Sequence, residues 1–212
     1  MSEPEPKRVK TDEPAYELIY WPGIPGRGEI IRVLFEEAGV PYKDIAKEQD
    51  EGDAISTVLA LPDADAKHPV FACPALRHGD LVLSQTANIL LYLAPKLGLA
   101  PSEVGGSPAT FELNQIVMTI LNAFVDEVHD THHPIAVSLH YEDQKPEALK
   151  RGKAFVEERL PKFMAYLQRV VDANSDTEEP WLHGSTLTYA DLVLFQVRIC
   201  HLLSFFVPWN GV

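Results

Sequence analysis

The sequence predicts a mixed α/β domain followed by an all-helical domain, and three observations support this fold class. Strand-like and helix-like segments alternate over residues 15–97. A stretch with several glycines and prolines follows at 98–108. Only helix-like segments come after it, over 109–212. With 212 residues, 46% of them hydrophobic and 23% charged, the chain is long enough to bury two cores.

The predicted α/β domain opens with an aromatic and β-branched strand, and a loop with prolines and glycines comes next. Apolar spacing then predicts a helix that ends at Gly39. Because strand, helix and strand follow one another, we expect the first two strands to pair in parallel. Residues 47–69 are acidic and show no clear pattern. The predicted elements are a strand at 16–20, a loop at 21–28, a helix at 29–38, a strand at 42–46, a hairpin at 73–83 and a helix at 85–96.

The predicted helical domain contains three long helices, at 109–128, 146–171 and 188–207. Pro146 suits the first turn of the second helix, where its missing N–H costs nothing. Pro161 lies inside the same helix and is expected to kink or split it. Thr188 and Asp191 have the spacing of a capping box, so their side chains can bind free N–H groups where the third helix begins.

Composition and charge disfavour several classes of function. A formal net charge of −13 repels nucleic-acid phosphates and anionic lipids, so we expect neither nucleic acid nor membrane as a partner. The most apolar segment, 192–207, is shorter than a membrane span and contains polar residues, which indicates a core helix. Cys73 and Cys200 favour reduced thiols, and the N-terminus lacks the apolar stretch of a secretory signal. We therefore expect a cytoplasmic protein.

A basic segment lies in the polar N-terminal tail, which we predict to be disordered over 1–14. The segment is Pro-Lys-Arg-Val-Lys-Thr-Asp, at 6–12. It resembles the Myc-type nuclear localisation signal, in which a Lys-Arg-Val-Lys core precedes an Asp, and this resemblance implies import into the nucleus. The alternative is a solvated basic patch that balances nearby acidic residues, because short basic runs recur by chance.

Four short segments, spread over most of the chain, form a series. They are Tyr20-Trp-Pro-Gly-Ile-Pro-Gly-Arg-Gly-Glu29, Cys73-Pro-Ala-Leu76, Leu83-Ser-Gln-Thr-Ala-Asn-Ile-Leu-Leu-Tyr-Leu93 and Trp181-Leu-x-Gly-x-x-Leu-Thr-Tyr-Ala-Asp191. Each is a weak signal alone, but their order and spacing together are specific. The series resembles the glutathione transferase family, in its tyrosine-type classes and most closely in the sigma-like members.

The resemblance implies a thioredoxin-like N-terminal domain that binds glutathione and an all-α C-terminal domain. It implies an enzyme that conjugates the glutathione thiolate to small electrophiles in detoxification, with glutathione as co-substrate and no metal. Family members usually form homodimers, so a homodimer is expected. Two other functions stay open, namely a glutathione-dependent isomerase or peroxidase, and a non-catalytic glutathione-binding or assembly module.

By resemblance, Tyr20 activates the thiol. A free thiol has a pKa near 8.5, so only a few per cent is ionised at neutral pH, and a hydroxyl that donates a hydrogen bond to the sulfur stabilises the thiolate. Arg27 matches the arginine that steadies the tyrosine or the sulfur anion in the sigma-like pattern. Without the resemblance, Tyr20 would be interpreted as an aromatic residue at a strand end. Arg27 would be interpreted as a partner in a salt bridge between the loop and the helix.

The other implied site residues hold glutathione. A cis peptide bond before Pro74 would present the backbone of Cys73 to the cysteinyl unit of glutathione. The thiol of Cys73 is expected to be structural rather than reactive. Gln85 and Thr86 are implied to hold the γ-glutamyl group at the start of a helix, where the helix dipole favours a carboxylate. A plain N-cap role is the alternative for these two residues, and both roles can hold together.

Two departures from the family pattern accompany the resemblance. Residues 50–53 lack the tryptophan or lysine that often holds the glycyl carboxylate. The chain ends 21 residues after Asp191, whereas the family usually continues for about two further helices. We therefore expect an exposed apolar flank on the last predicted helix, which would favour pairing or aggregation. The flank would include some of Leu194, Phe195, Leu202 and Phe206.

Two further patterns are weak. Acidic and histidine side chains crowd one stretch, but their spacing does not match a known metal motif, so hydrogen-bonded histidines at a helix end are favoured over a metal site. Its members are Glu127, His129, Asp130, His132 and His133, with His140 nearby. The glycines in Gly23-x-x-Gly26-x-Gly28 do not form a phosphate loop, because no Gly-Lys-Ser/Thr follows them.

Overall fold

The computed structural model describes residues 16–62, 68–101, 106–174 and 181–206, and for 198–206 it describes the backbone only. The basic segment at 6–12 and the thiol of Cys200 lie outside this description. The chain divides into two compact units, one of Met1–Gly28 with Pro41–Gln85 and one of Glu29–Val40 with Thr86–Val212. Compact units group elements by proximity alone, so the domain limits given above stay a prediction.

A four-stranded sheet occupies the first unit. Its strands are β1 (Tyr16–Ile19), β2 (Tyr42–Asp44), β3 (Ala75–His78) and β4 (Leu81–Ser84). Their spatial order is β2-β1-β3-β4, with β1 parallel to β2 and antiparallel to β3, and with β3 antiparallel to β4. The predicted parallel pair and the predicted hairpin are both confirmed.

The helices of the chain follow in sequence order. They are α1 (Gly26–Ala38), α2 (Ile45–Glu48), α3 (Glu51–Leu59), α4 (Thr86–Lys96), α5 (Pro108–Thr119), α6 (Asp126–His132), α7 (Lys145–Ala154), α8 (Leu160–Ala173) and α9 (Tyr189–Phe206). Two π-helical segments, Ile120–Val125 and Phe155–Arg159, and one 3₁₀ segment, Tyr141–Gln144, join some of them. The α/β fold class is confirmed, with a thioredoxin-like sheet that is followed, among the described residues, by helices.

The second strand ends earlier than predicted because Asp44 caps a helix. Its carboxylate accepts the N–H of Ala46 at 3.2 Å, and Glu48 accepts the N–H of Asp44 at 3.0 Å. This reciprocal cap starts α2 where the sequence predicted the end of a strand. One core cluster then joins the sheet to α2 and α3, and it contains Ile19, Ile45, Ala54, Val58, Leu61, Val70 and Ala75.

Pro161 divides the second long helix, as predicted. It cannot donate an N–H to the carbonyl of residue 157, so the regular ladder is interrupted. The π-helical segment Phe155–Arg159 lies at this interruption, between α7 and α8. A second π-helical segment, Ile120–Val125, lacked a sequence signal. An aromatic cluster packs between the two, with the Phe124 ring 4.9 Å from that of Phe163.

The last helix begins at the predicted cap and shows part of the predicted apolar flank. The carboxylate of Asp191 accepts the backbone N–H of Thr188 at 2.9 Å and its hydroxyl at 2.8 Å. Phe195 is 53% exposed, while Leu194 is half-buried. The side chains of Leu202 and Phe206 lie outside the description. Within the described ranges, no helix combines the length and the apolarity needed to cross a membrane.

Candidate functional site

Three strands end together at one edge of the sheet. Hydrogen-bonded pairing places three residues in a single register row, and these are Ile19 of β1, Ala75 of β3 and Ser84 of β4. The next residues outward from that row are Tyr20, Pro74 and Gln85. Neighbouring strands lie about 4.8 Å apart. The backbones of three predicted site residues therefore lie side by side at this edge.

Tyr20 is anchored by the first turn of α1. Its side chain is 7% exposed, and its hydroxyl oxygen accepts the backbone N–H of Arg27 at 3.0 Å. The backbone N–H of Gly28 also lowers the pKa of this hydroxyl, to a smaller extent than that of Arg27. The structure thus brings Tyr20 and Arg27 together, through the backbone of Arg27.

Two glycines lie against Tyr20, and sequence reasoning missed this role. A Cβ on Gly26 would lie 2.2 Å from the Tyr20 oxygen, and one on Gly28 would lie 2.5 Å from its ring. Gly26 also has a φ of +41°, in the left-handed region that favours glycine. The pattern Gly26-x-Gly28 was the available signal, but the sequence does not reveal which side chain the glycines contact.

The phenol of Tyr20 is protonated at neutral pH. Burial raises its pKa above the ordinary value of 10.0, and the N–H of Arg27 opposes this increase only in part. The nearby Cys73 also raises the pKa of Tyr20 by its charge. Such a hydroxyl acts as a hydrogen-bond donor at neutral pH rather than as a phenolate.

Cys73 lies beside Tyr20 and precedes a cis peptide bond to Pro74, as the resemblance implied. Its thiol is free and half-buried. Burial raises the pKa of this thiol, while the backbone N–H of Trp21 lowers it to a smaller extent. A protonated thiol is a poor nucleophile, so these features support the structural interpretation of Cys73.

Gln85 and Thr86 combine a strained backbone with a buried hydroxyl that no described residue binds. Gln85 has a φ of +70°, and in the described part of the chain it is the one non-glycine residue with a positive φ. Thr86 begins α4 and is only 4% exposed. Its hydroxyl oxygen finds no hydrogen-bond partner among the described residues. Backbone strain and buried polar atoms without partners both occur preferentially at functional sites.

The acidic and histidine cluster is occupied by internal contacts. Glu127 binds Arg159 through two hydrogen bonds of 2.5 and 2.7 Å, and Asp130 binds Arg151 at 2.6 Å. His133 contacts the amide of the buried Gln144 at 3.4 Å. In the ranges that the structure describes, no group of three or more His, Cys, Asp or Glu side chains is arranged to hold a metal ion.

Comparisons with known proteins agree on one family. The family model described as "Glutathione S-transferase, C-terminal domain" matches residues 129–206. Glutathione S-transferase P 1 of Xenopus laevis is 29% identical over 192 residues, which cover 89% of this chain and 78% of the relative. A glutathione S-transferase of Plasmodium yoelii yoelii is 26% identical over 173 residues, covering 81% and 71%.

Solved structures agree on the fold. A glutathione S-transferase of Caenorhabditis elegans superposes with a TM-score of 0.61 at 23% identity, covering 93% of this chain and 86% of the other. At this identity the similarity bears on the fold alone.

Proposed function

We propose that the chain is a glutathione S-transferase, an enzyme that conjugates the glutathione thiolate to small electrophiles, and its similarity to glutathione S-transferases supports this proposal. The thiol is activated by the hydroxyl of Tyr20, as in the tyrosine-type classes. The observation that carries this proposal is the single register row beyond which Tyr20, Pro74 and Gln85 follow one another across three strands.

Activation follows from the state of the Tyr20 hydroxyl. A protonated phenol can donate a hydrogen bond to a sulfur, and this bond is stronger to a thiolate than to a neutral thiol. Each pH unit by which the thiol pKa falls corresponds to about 1.4 kcal/mol of preference for the thiolate. A fall from about 8.5 to about 6.5 would make most of the bound thiol nucleophilic at neutral pH.

Binding of glutathione is assigned to the neighbouring residues. The backbone of Cys73, before Pro74, is proposed to pair with the cysteinyl unit as an added strand would. Gln85 and the hydroxyl of Thr86 are proposed to bind the γ-glutamyl group, which would give the buried Thr86 oxygen the partner it lacks among the described residues. The half-buried side chain of Arg27 is proposed to steady the sulfur anion.

The oligomeric state and the biological role are proposed from the same family resemblance, and the cellular location from the sequence. We infer a homodimer that detoxifies electrophiles in the cytoplasm. The segment at 6–12 is proposed to permit entry into the nucleus as well. Deletion of 1–14 should leave turnover unchanged and abolish nuclear accumulation of a fluorescent fusion, and unchanged accumulation would exclude this role.

Kinetics of conjugation test the enzyme assignment. Wild-type protein should conjugate glutathione to a small aromatic halide, and Tyr20→Phe should lower kcat/KM at least tenfold. Tyr166→Phe, which removes a hydroxyl from α8, is the matched control and should retain wild-type rates. The dissociation constant of S-methylglutathione, which has no ionisable thiol, should stay the same in all three proteins. Binding without turnover in the wild type would exclude the transferase and favour the non-catalytic module.

A further inference from the structure

The first turn of α1 lies against the Tyr20 hydroxyl and ring. α1 begins at Gly26, and the backbone N–H of Arg27 reaches the Tyr20 oxygen at 3.0 Å. Position 26 lies so close that a Cβ there would stand 2.2 Å from that oxygen. A Cβ at position 28 would lie 2.5 Å from the Cγ and Cδ1 atoms of the ring.

From this geometry we infer that the first turn of α1 is a positioning device for the Tyr20 hydroxyl, with Gly26 and Gly28 as its positioning residues. The inference rests on the proposed function, because positioning matters to the reaction only if Tyr20 activates the thiol. It goes beyond that function by assigning a role to two residues that the proposed function does not use.

Backbone N–H groups impose a direction on the hydroxyl. A phenolic oxygen can accept hydrogen bonds and donate one. Because the N–H of Arg27 occupies an accepting position of the oxygen, the hydroxyl hydrogen is directed away from that N–H. A hydroxyl that accepts such bonds is also polarised and becomes a stronger donor. The positive end of the α1 dipole acts in the same direction.

Glycine is required because no larger residue permits this approach. The two hypothetical Cβ distances are far below the ordinary van der Waals contact of about 3.5 to 4.0 Å. The neighbouring atoms are a buried ring and its hydroxyl, which have little room to move. An alanine at either position would therefore push Tyr20 away from the N–H of Arg27.

Gly28→Ala is the sharpest test, since the backbone at Gly28 has no positive φ and only the added methyl group is at issue. Gly152→Ala is the matched control, because a Cβ there meets nothing within 4 Å. Two readouts separate positioning from stability: the tyrosine ¹³Cζ resonance of Tyr20 in the free protein, assigned by its loss in Tyr20→Phe, and the pKa of bound glutathione measured by thiolate absorbance.

We expect Gly28→Ala to move the Tyr20 resonance and to raise the thiol pKa of bound glutathione by about one pH unit, a tenfold loss of thiolate near neutral pH. The dissociation constant of S-methylglutathione should stay within about twofold of the wild-type value. Gly152→Ala should change none of these quantities. If Gly28→Ala does not fold, an ester bond in place of the amide at residue 27 removes the N–H without adding bulk and should give the same result.

An unchanged Tyr20 resonance and an unchanged thiol pKa in a folded Gly28→Ala or ester variant would overturn the inference. Another outcome would contradict the proposed function and leave the inference about the turn standing. If the Tyr20 resonance moves in Gly28→Ala but Tyr20→Phe leaves the thiol pKa at its wild-type value, the turn does hold the hydroxyl and Tyr20 does not activate the thiol.

Discussion

The starts of α4 and α9 each carry a buried threonine, but the two hydroxyls differ in whether a hydrogen-bond partner satisfies them. Each has a buried threonine, Thr86 at 4% exposure and Thr188 at 5%. Thr188 donates its hydroxyl to Asp191 at 2.8 Å. Thr86 has a hydroxyl without a partner among the described residues, and it follows Gln85, whose φ is +70°.

This difference separates a structural cap from a proposed binding site. A helix start that satisfies its own donors and acceptors stabilises the fold and offers nothing to a ligand. A start that combines strain with an unsatisfied buried oxygen loses stability unless a ligand supplies the missing contact. We therefore expect substitutions at α9 to affect folding, and those at α4 to affect glutathione binding.

The largest effect is expected from Asp191→Ala. This change leaves the N–H of Leu182, the N–H of Thr188 and the Thr188 hydroxyl without the carboxylate that they now bind. We expect a loss of about 3 kcal/mol in the free energy of unfolding, measured by urea denaturation. Asp191→Asn, which keeps one acceptor oxygen, should lose less. A loss below about 0.5 kcal/mol for Asp191→Ala would show that the cap is not structural.

Tyr189 tests whether an unpartnered hydroxyl alone indicates a ligand. It is buried without a hydrogen-bond partner among the described residues, and burial raises its pKa to about 12. Because the unfolded chain releases this proton near pH 10 and the folded chain near pH 12, the native state binds more protons between them, and stability falls as pH rises.

We expect unfolding experiments to show a loss of about 2 kcal/mol from this group between pH 10 and pH 12. Tyr189→Phe should remove that contribution, raise stability at neutral pH and leave glutathione affinity unchanged, since no strained residue accompanies this hydroxyl. Reduced affinity in Tyr189→Phe would mean that an unsatisfied hydroxyl is sufficient to indicate a ligand.

The two threonines give the most direct contrast, with a smaller effect. Thr188→Val should lower the free energy of unfolding by about 1 to 2 kcal/mol, because a hydrogen bond to a charged group is lost. Thr86→Val replaces an unsatisfied oxygen with a methyl group, so stability should rise by up to about 1 kcal/mol. The same change should weaken glutathione binding about tenfold by calorimetry. Equal signs of the two stability changes would contradict the comparison.

The smallest stability effect is expected at Gln85. Gln85→Gly relieves the positive φ but adds flexibility to the unfolded chain, and these contributions of about 1 kcal/mol nearly cancel. Stability should therefore stay within about 0.5 kcal/mol, while glutathione affinity falls because the side chain is lost. Gly39→Ala is the control, because it should change stability and leave glutathione affinity unchanged. It introduces a side chain at a φ of +62° and should cost about 1 kcal/mol without affecting affinity.

Local sequence signals were enough to predict the fold class, while the site residues are a prediction drawn from the family resemblance. The parallel pair, the hairpin, the division at Pro161 and the cap at Asp191 all depend on nearby residues, so their patterns are visible in the sequence. α3 was not predicted because it has only nine residues and its apolar positions alternate with acidic and hydroxyl residues. β2 was predicted too long because the cap by Asp44 depends on Glu48, four residues away.

Features that depend on register and close approach could not be predicted. The single row through Ile19, Ala75 and Ser84 arises from pairing between strands that are distant in the chain. Likewise, the sequence gives the spacing of Gly26 and Gly28 but not their contact with the Tyr20 ring. The site residues therefore stay a prediction, and the contacts that position them needed the structure.

The most direct test of the central claim, that Tyr20 activates bound glutathione, is the pKa of the bound thiol. Thiolate absorbance of saturated wild-type protein, followed from pH 5 to pH 10, should give a midpoint at least one pH unit below the free value of about 8.5, and Tyr20→Phe should return it to that value. Equal midpoints in wild-type protein and Tyr20→Phe would contradict the claim.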